Sequence, residues 1–182
     1  MPTSSRSTAA TVHPLPLPLM PEVRNAVPSP NDRASQSSFS NINTDNADLS
    51  AFNARKGKLL LYHGLGDNLI APQGSINYYN RVATMMGGIS SIQSFFRFYL
   101  IPGMQHNGSL VGPPTIPMPQ SAAGRDEMFT ALQNWVENGT EPGRVDVSSS
   151  NGSVSQALCV YPLKAVYDGT GLQTAASSYA CK

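Results

Sequence analysis

The stretch "GKLLLYHG", residues 57–64, sets the fold class of this chain. Its apolar residues form a continuous run that is too short for a helix and does not alternate with polar residues. Such a run is typical of a strand that is buried on both faces of a mostly parallel sheet. The segment "LGDNLI" follows, so that Asp67 comes just after the carboxyl end of the predicted strand.

The residues after this strand predict a helix, a second strand and a second helix. Pro72 marks a turn, and Ser75 is the expected N-cap of a helix that ends at Gly87. The aromatic run "FFRFYLI", residues 95–101, predicts a strand that is stopped by a proline. The second helix is expected over about residues 124–138. Helical spacing predicts two buried stripes, namely Ile76, Tyr79, Val82, Ala83 and Met86, and Met128, Phe129, Leu132, Trp135 and Val136.

This order of strands and helices predicts an α/β protein. Two strands do not form a stable sheet alone, so we expect a piece of a larger α/β fold. Residues 1–43 form a Pro/Ser-rich leader without a period of 3.6 or 2, and we expect it to be disordered. Residues 44–182 are the predicted folded part.

Composition excludes several classes of partner and location. The formal net charge is +1, with acidic and basic residues mixed along the chain, which argues against nucleic acid and anionic membrane as partners. No apolar run approaches the roughly 20 residues that a membrane-spanning helix needs. The N-terminus makes a poor signal peptide, because prolines interrupt its leucines.

Asp67 and His106 are the candidate catalytic residues. Each follows the carboxyl end of a predicted strand, where catalytic groups of open α/β sheets gather. A carboxylate that accepts a hydrogen bond from the Nδ1–H group of an imidazole fixes its tautomer and leaves Nε2 free to act as a base. The alternative remains that Asp67 caps its own turn and His106 is merely solvated. His63 is a rival base, which we expect to be a packing or hydrogen-bonding residue.

A nucleophile is missing from this pattern. The sequence contains no Gly-x-Ser-x-Gly, and Ser75, Ser90, Ser91 and Ser109 lack the strand-turn-helix context that exposes a nucleophilic serine. Without a nucleophile, an aspartate and a histidine do not start acyl transfer.

Two cysteines, Cys159 and Cys181, lie near the C-terminus. They are too few for a zinc site, which leaves two free thiols or one disulfide across an irregular tail. Asn107, Asn138 and Asn151 begin Asn-x-Ser/Thr sequons, which agrees with secretion.

Four separated blocks resemble the tannase and feruloyl esterase family of carboxylic ester hydrolases. In chain order they are "TDNADLSAFNARKGKLLLYHGLGDNLIAPQGSINYYNRVA", "FFRFYLIPGMQHNG", "MFTALQNWVENGTEPGRV" and "ALCVYPLKAVYDGTG" with the later "YAC". The resemblance implies a partial α/β-hydrolase fold, namely the last two strands and helices of the sheet and a disulfide-tied tail. It also implies that Asp67 is the triad acid, that His106 is the triad base and that Cys159 bonds Cys181.

The same resemblance implies a secreted esterase that acts on small phenolic esters such as feruloyl or galloyl esters. Its nucleophile and its calcium-binding lid are absent from these residues, so we expect no cofactor in this chain and no activity from it alone. Asn107 stands where the family has a cysteine after the histidine, so the tether between serine and histidine is missing. We expect the Asn107 sequon to be unused. The alternative is a catalytically dead remnant or an interaction module of that fold.

Overall fold

The structure, a computed structural model, describes residues 44–106, 119, 126–149 and 151–182. The predicted leader and the Asn107 sequon lie outside the described residues. In chain order the elements are α1 (Ser50–Ala54), β1 (Leu59–Gly64), α2 (Pro72–Met85), α3 (Ile89–Ile92), β2 (Phe96–Ile101), α4 (Glu127–Asn138), β3 (Val145–Ser148), β4 (Ser155–Leu158), β5 (Ala165–Tyr167), a 3-10 turn (Ala176–Ser178) and β6 (Tyr179–Cys181). None of the helices among these residues is long and apolar enough to cross a membrane.

The two predicted strands are confirmed, and they pair in parallel. The register runs from Leu59 opposite Phe96 to Gly64 opposite Ile101, so both strands end at the same edge of the sheet. Helix α2 connects them, which gives the βαβ unit expected for an α/β protein. Strand β2 is largely buried, whereas most side chains of β1 are only half-buried.

Alternating residues of β2 supply the cores on the two faces of this sheet. Phe96 and Phe98 pack with α2, where the ring centroid of Tyr79 lies 4.9 Å from that of Phe96. Tyr99 and Ile101 pack on the other face with Met128 of α4. The alternation arises because successive side chains of a strand point to opposite faces.

Helix α2 begins earlier than predicted. Its first residue is Pro72 and its N-cap is Ala71, so the expectation that Ser75 is the N-cap is wrong. Proline suits the first helical position because its missing N–H is not needed there. Ser75 lies inside the first turn, and its hydroxyl bonds to a ring nitrogen of His63 instead. The buried residues of α2 are Tyr79, Val82 and Ala83, with Ile76 and Met86 packed beside them, as predicted.

Helix α4 has a narrower buried face than predicted. Asp126 is its N-cap and accepts a hydrogen bond from the Phe129 N–H at 2.8 Å, and Gly139 ends it in the left-handed conformation. Met128 and Trp135 are buried, but Phe129 and Val136 are 62% and 63% exposed. Each exposed residue is one position beyond a buried one, which turns it about 100° away from the core.

The tail is more regular than expected. Strands β3 and β4 form one antiparallel pair, and β5 and β6 form another. A disulfide joins Cys159 to Cys181, whose Cα atoms are 5.6 Å apart, so the free-thiol alternative is wrong. These strands have only three or four residues each, which is too short for a clear period in the sequence.

Loss of this disulfide is expected to destabilise the fold. Replacing Cys159 and Cys181 together by serine should lower the free energy of unfolding by about 2–4 kcal/mol, because the bond closes a loop of some 22 residues. Urea unfolding of both proteins measures the difference, with exposed Ser177→Ala as a variant of unchanged stability. Equal midpoints for the double variant and the parent would contradict this prediction.

Candidate active site

Asp67 lies in the turn that follows β1, and both oxygens of its carboxylate have hydrogen-bond partners. Its Oδ1 accepts hydrogen bonds from the N–H groups of Leu69 at 3.0 Å and Ile70 at 2.9 Å. The side chain is only 5% exposed, which keeps competing water away from the carboxylate. Asp67 therefore does cap its own turn, as the simpler alternative held, but this uses only one of its two oxygens.

The second oxygen of Asp67 faces His106. His106 Nδ1 lies 3.0 Å from Asp67 Oδ2. An ionised carboxylate can only accept, so Nδ1 carries the proton and Nε2 is left as the acceptor. The His106 side chain is 45% exposed, and no described residue bonds its Nε2. The imidazole thus has the tautomer and the access that a general base requires.

Backbone contacts between the ends of the two strands hold the His106 loop beside Asp67. The N–H of Leu65 donates to the carbonyl of Ile101, and the N–H of Gly66 donates to the carbonyl of Met104, both at 2.9 Å. Gly64 packs against the backbone of Met104, so that a Cβ at position 64 would overlap the Met104 carbonyl oxygen. The close approach that brings His106 to Asp67 therefore requires glycine at position 64.

Substitution of Gly64 tests this packing. Gly64→Ala is expected to destabilise the fold by about 1–3 kcal/mol, because a backbone carbonyl cannot move aside as a flexible side chain would. Gly74→Ala is the matched control, since a Cβ there meets nothing within 4 Å and alanine favours a helix. Thermal unfolding of the two variants compares them. A Gly64→Ala variant as stable as Gly74→Ala would contradict the packing.

His63 makes a second contact with Asp67. Its Nε2 lies 3.2 Å from Asp67 Oδ2 and 3.0 Å from the carbonyl oxygen of Ile70, while its Nδ1 lies 2.7 Å from Ser75 Oγ. The side chain is 12% exposed, compared with 45% for His106. His63 is therefore a hydrogen-bonding residue, as expected, and the more enclosed of the two imidazoles around the carboxylate.

These contacts change the acidity of Asp67. Burial by itself raises the pKa of this carboxyl, because the charged form loses water. The N–H of Ile70, the imidazole of His106 and the N–H of Leu69 outweigh burial and lower the pKa to about 2. The stability that the carboxylate contributes is thus complete above its ordinary pKa of 3.8 and is lost as the pH falls through about 2.

The structure brings Asp67 and His106 together but places no nucleophile beside them among the described residues. Ser75 is engaged with His63, Ser91 donates to the carbonyl of Gly87 at 3.0 Å, and Ser109 lies outside the described residues. No group of three or more His, Cys, Asp or Glu side chains in the described part of the chain could hold a metal ion.

A cavity of about 850 Å³ lies near the same edge of the sheet. Its lining includes Leu65, Pro102 and Gly103 from the strand ends, with Leu163 and Tyr179 from the tail. Asp67 and His106 do not line it. The nearest lining residues in sequence are Leu65, two residues before Asp67, and Gly103, three residues before His106.

The contact of His63 with Ser75 and Asp67 was not predicted from the sequence in this form. His63 falls at the same alternation of β1 as Leu59 and Leu61, which pack toward α2, and Ser75 lies in the first turn of that helix. The contact could have been located from two facts together: alternate side chains of β1 point toward α2, and α2 begins at Pro72, which places Ser75 in its first turn.

Comparisons with known proteins place the chain in a family. The sequence profile described as "Tannase and feruloyl esterase" matches residues 15–182. The crystal structure of feruloyl esterase B from Aspergillus oryzae superposes with a TM-score of 0.71 at 32% identity, over 84% of this chain and 32% of that chain.

Two curated sequences extend the comparison. Probable feruloyl esterase B-1 of Aspergillus oryzae is 37% identical over 148 residues, which are 77% of this chain and 27% of the relative. Mono(2-hydroxyethyl) terephthalate hydrolase of Piscinibacter sakaiensis is 33% identical over 152 residues, 80% of this chain and 23% of the relative. The chain thus spans between about a quarter and a third of the length of these proteins, and it belongs to the tannase and feruloyl esterase family.

Proposed function

We propose that this chain supplies the acid and the base of a serine-dependent carboxylic ester hydrolase, Asp67 and His106. The single observation that supports this most strongly is the 3.0 Å contact between Asp67 Oδ2 and His106 Nδ1, at neighbouring ends of two parallel strands. In the proposal, β1, β2, α2 and α4 are the last strands and helices of an α/β-hydrolase sheet. The tail closed by Cys159 and Cys181 completes this partial fold.

His106 Nε2 is the atom that would take a proton in the reaction. It would remove the proton of a serine hydroxyl as that oxygen attacks the ester carbonyl, and the imidazole would become positively charged. Asp67 stabilises this charge, because its low pKa keeps it ionised while it accepts a hydrogen bond from the Nδ1–H group. The same imidazolium would then protonate the departing alcohol.

The serine and the groups that stabilise the oxyanion would come from residues outside this sequence. The 182 residues contain no Gly-x-Ser-x-Gly, the Ser75 hydroxyl is bonded to His63, and the Ser91 hydroxyl donates to the carbonyl of Gly87. The family resemblance assigns a calcium site to a lid, which in this proposal would also come from residues outside this sequence. The proposed chemistry of Asp67 and His106 needs no cofactor from this chain.

The names of the relatives support a substrate class for this proposal. These names refer to tannase, to feruloyl esterase and to a terephthalate hydrolase, and ferulic and terephthalic acids both carry an aromatic ring. We therefore assign to this chain a role in hydrolysing small phenolic esters such as feruloyl or galloyl esters. The disulfide between Cys159 and Cys181 supports an oxidising, extracellular location. Nucleic acid and membrane are not partners in this proposal.

A chimera tests the proposal. Residues 44–182 would replace the matching portion of feruloyl esterase B from Aspergillus oryzae, and in this proposal the remaining portion would supply the nucleophile. The chimera would be made with Asn107 and with Asn107→Cys, since the resemblance implies a cysteine there. We expect hydrolysis of methyl ferulate well above that of a chimera carrying His106→Ala. Folded chimeras of both kinds without turnover would refute the proposal.

A further inference from the structure

His63 stands beside the proposed catalytic pair with every polar atom of its ring engaged. Its Nε2 faces two acceptors, Asp67 Oδ2 at 3.2 Å and the carbonyl oxygen of Ile70 at 3.0 Å. Neither acceptor can donate, so Nε2 must carry the ring proton. Nδ1 is then the acceptor, and the Ser75 hydroxyl donates to it across 2.7 Å.

The two imidazoles around Asp67 therefore have opposite tautomers. His63 carries its proton on Nε2, whereas His106 carries its proton on Nδ1, and both donate to the same oxygen of one carboxylate. A carboxylate oxygen has room for two such donors. Because Leu69 and Ile70 hold the other oxygen, His63 completes the set of bonds that fixes the plane of the carboxylate.

We propose that His63 is a positioning residue for the Asp67–His106 pair and that Ser75 holds the His63 ring in its donating orientation. This inference rests on the proposed function of that pair and deepens it. His63 cannot itself be the exposed base, because its Nε2 is occupied by two acceptors and its side chain is 12% exposed. Its effect on the reaction passes through the orientation of Asp67.

NMR of the ring nitrogens tests the proposal on the whole chain of 182 residues, which has only three histidines. The ¹⁵N shifts distinguish a nitrogen that carries a proton from one that does not. At about pH 9, where an ordinary histidine is neutral, we expect the Nε2–H form for His63 and the Nδ1–H form for His106. His13→Gln removes the signal of the third histidine and so identifies it.

Variants then separate positioning from mere packing. His63→Phe, which keeps a ring but no donor, is expected to end the dominance of the Nδ1–H form in His106, while His63→Gln, which keeps an N–H at a similar place, retains it. Ser75→Ala is expected to shift the Nδ1 signal of His63 toward that of an unbonded nitrogen. Dispersed amide spectra and the intact disulfide report that each variant is folded.

The outcomes distinguish the two ideas. If His106 lacks the Nδ1–H form in the parent chain, the proposed Asp67–His106 pair itself is wrong. If His106 has that form and keeps it in folded His63→Phe, only the positioning role is overturned. If His63→Phe does not fold, the spectrum of the parent chain still tests the positioning role. An Nδ1–H form of His63 would overturn it, because Nε2 could then not donate to Asp67.

Discussion

The polypeptide of 182 residues, purified by itself, is expected to hydrolyse methyl ferulate and a galloyl ester no faster than buffer does. An imidazole oriented by a carboxylate activates a nucleophile but does not replace one. The sequence has no Gly-x-Ser-x-Gly, and the described part of the chain places no serine at His106 Nε2. Product release is measured by chromatography over hours, at enzyme concentrations that detect a single turnover.

Turnover that His106→Ala abolishes would contradict this prediction. Turnover that persists in His106→Ala would contradict it as well, and the first serine to replace would then be Ser75, because its hydroxyl, His63 and Asp67 also form a Ser–His–Asp array with contacts of 2.7 and 3.2 Å. That array lies inside the first turn of a helix and lacks the strand-turn-helix elbow of a nucleophile. We therefore expect the parent chain and its Ser75→Ala variant to be equally inactive.

Asp67→Asn in an active chimera is expected to lower kcat by about 10⁴-fold, with a much smaller effect on KM. An amide keeps the size of the carboxylate but loses its charge, and its NH₂ group can face His106 Nδ1 in place of an acceptor. The imidazole then takes the other tautomer, in which Nε2 is already protonated and cannot accept. The loss is thus confined to the chemical step.

The matched control for this variant is Asp45→Asn. Asp45 also contacts a basic side chain, that of Arg81 at 2.8 Å, but the Asp45 side chain is 54% exposed. Exposed ion pairs contribute little, so its kcat should equal that of the parent chimera. A loss below about tenfold for folded Asp67→Asn would argue against the acid role of Asp67.

Two continuous apolar and aromatic runs in the sequence predicted the part of the fold that carries the site. The apolar run at 57–64 and the aromatic run at 95–101 gave two strands, and parallel pairing followed from the helix between them. Parallel strands end at one edge, so Asp67 and His106 were expected to meet, and their side chains are 3.0 Å apart. Their catalytic roles remain a proposal.

The predictions that were wrong concern features that depend on tertiary contacts, which no local sequence pattern encodes. Ser75 looked like an N-cap because a hydroxyl near a helix start usually caps it, but proline at 72 begins the helix and a tertiary partner takes the hydroxyl. Phe129 and Val136 fit a helical stripe but are exposed, since the neighbouring elements cover only the side of Met128 and Trp135. The hairpins of the tail are too short to show a period.

The most direct test of the proposed pair is to decide which histidine acts as the base. In the active chimera, kcat/KM for methyl ferulate would be measured with His106→Gln and with His63→Gln. We expect His106→Gln to lose on the order of 10⁴- to 10⁶-fold, because glutamine cannot accept the serine proton. His63→Gln should lose far less, because glutamine can still donate to Asp67. The reverse ranking in folded proteins, with activity kept by His106→Gln and abolished by His63→Gln, would contradict the assignment of His106 as the base.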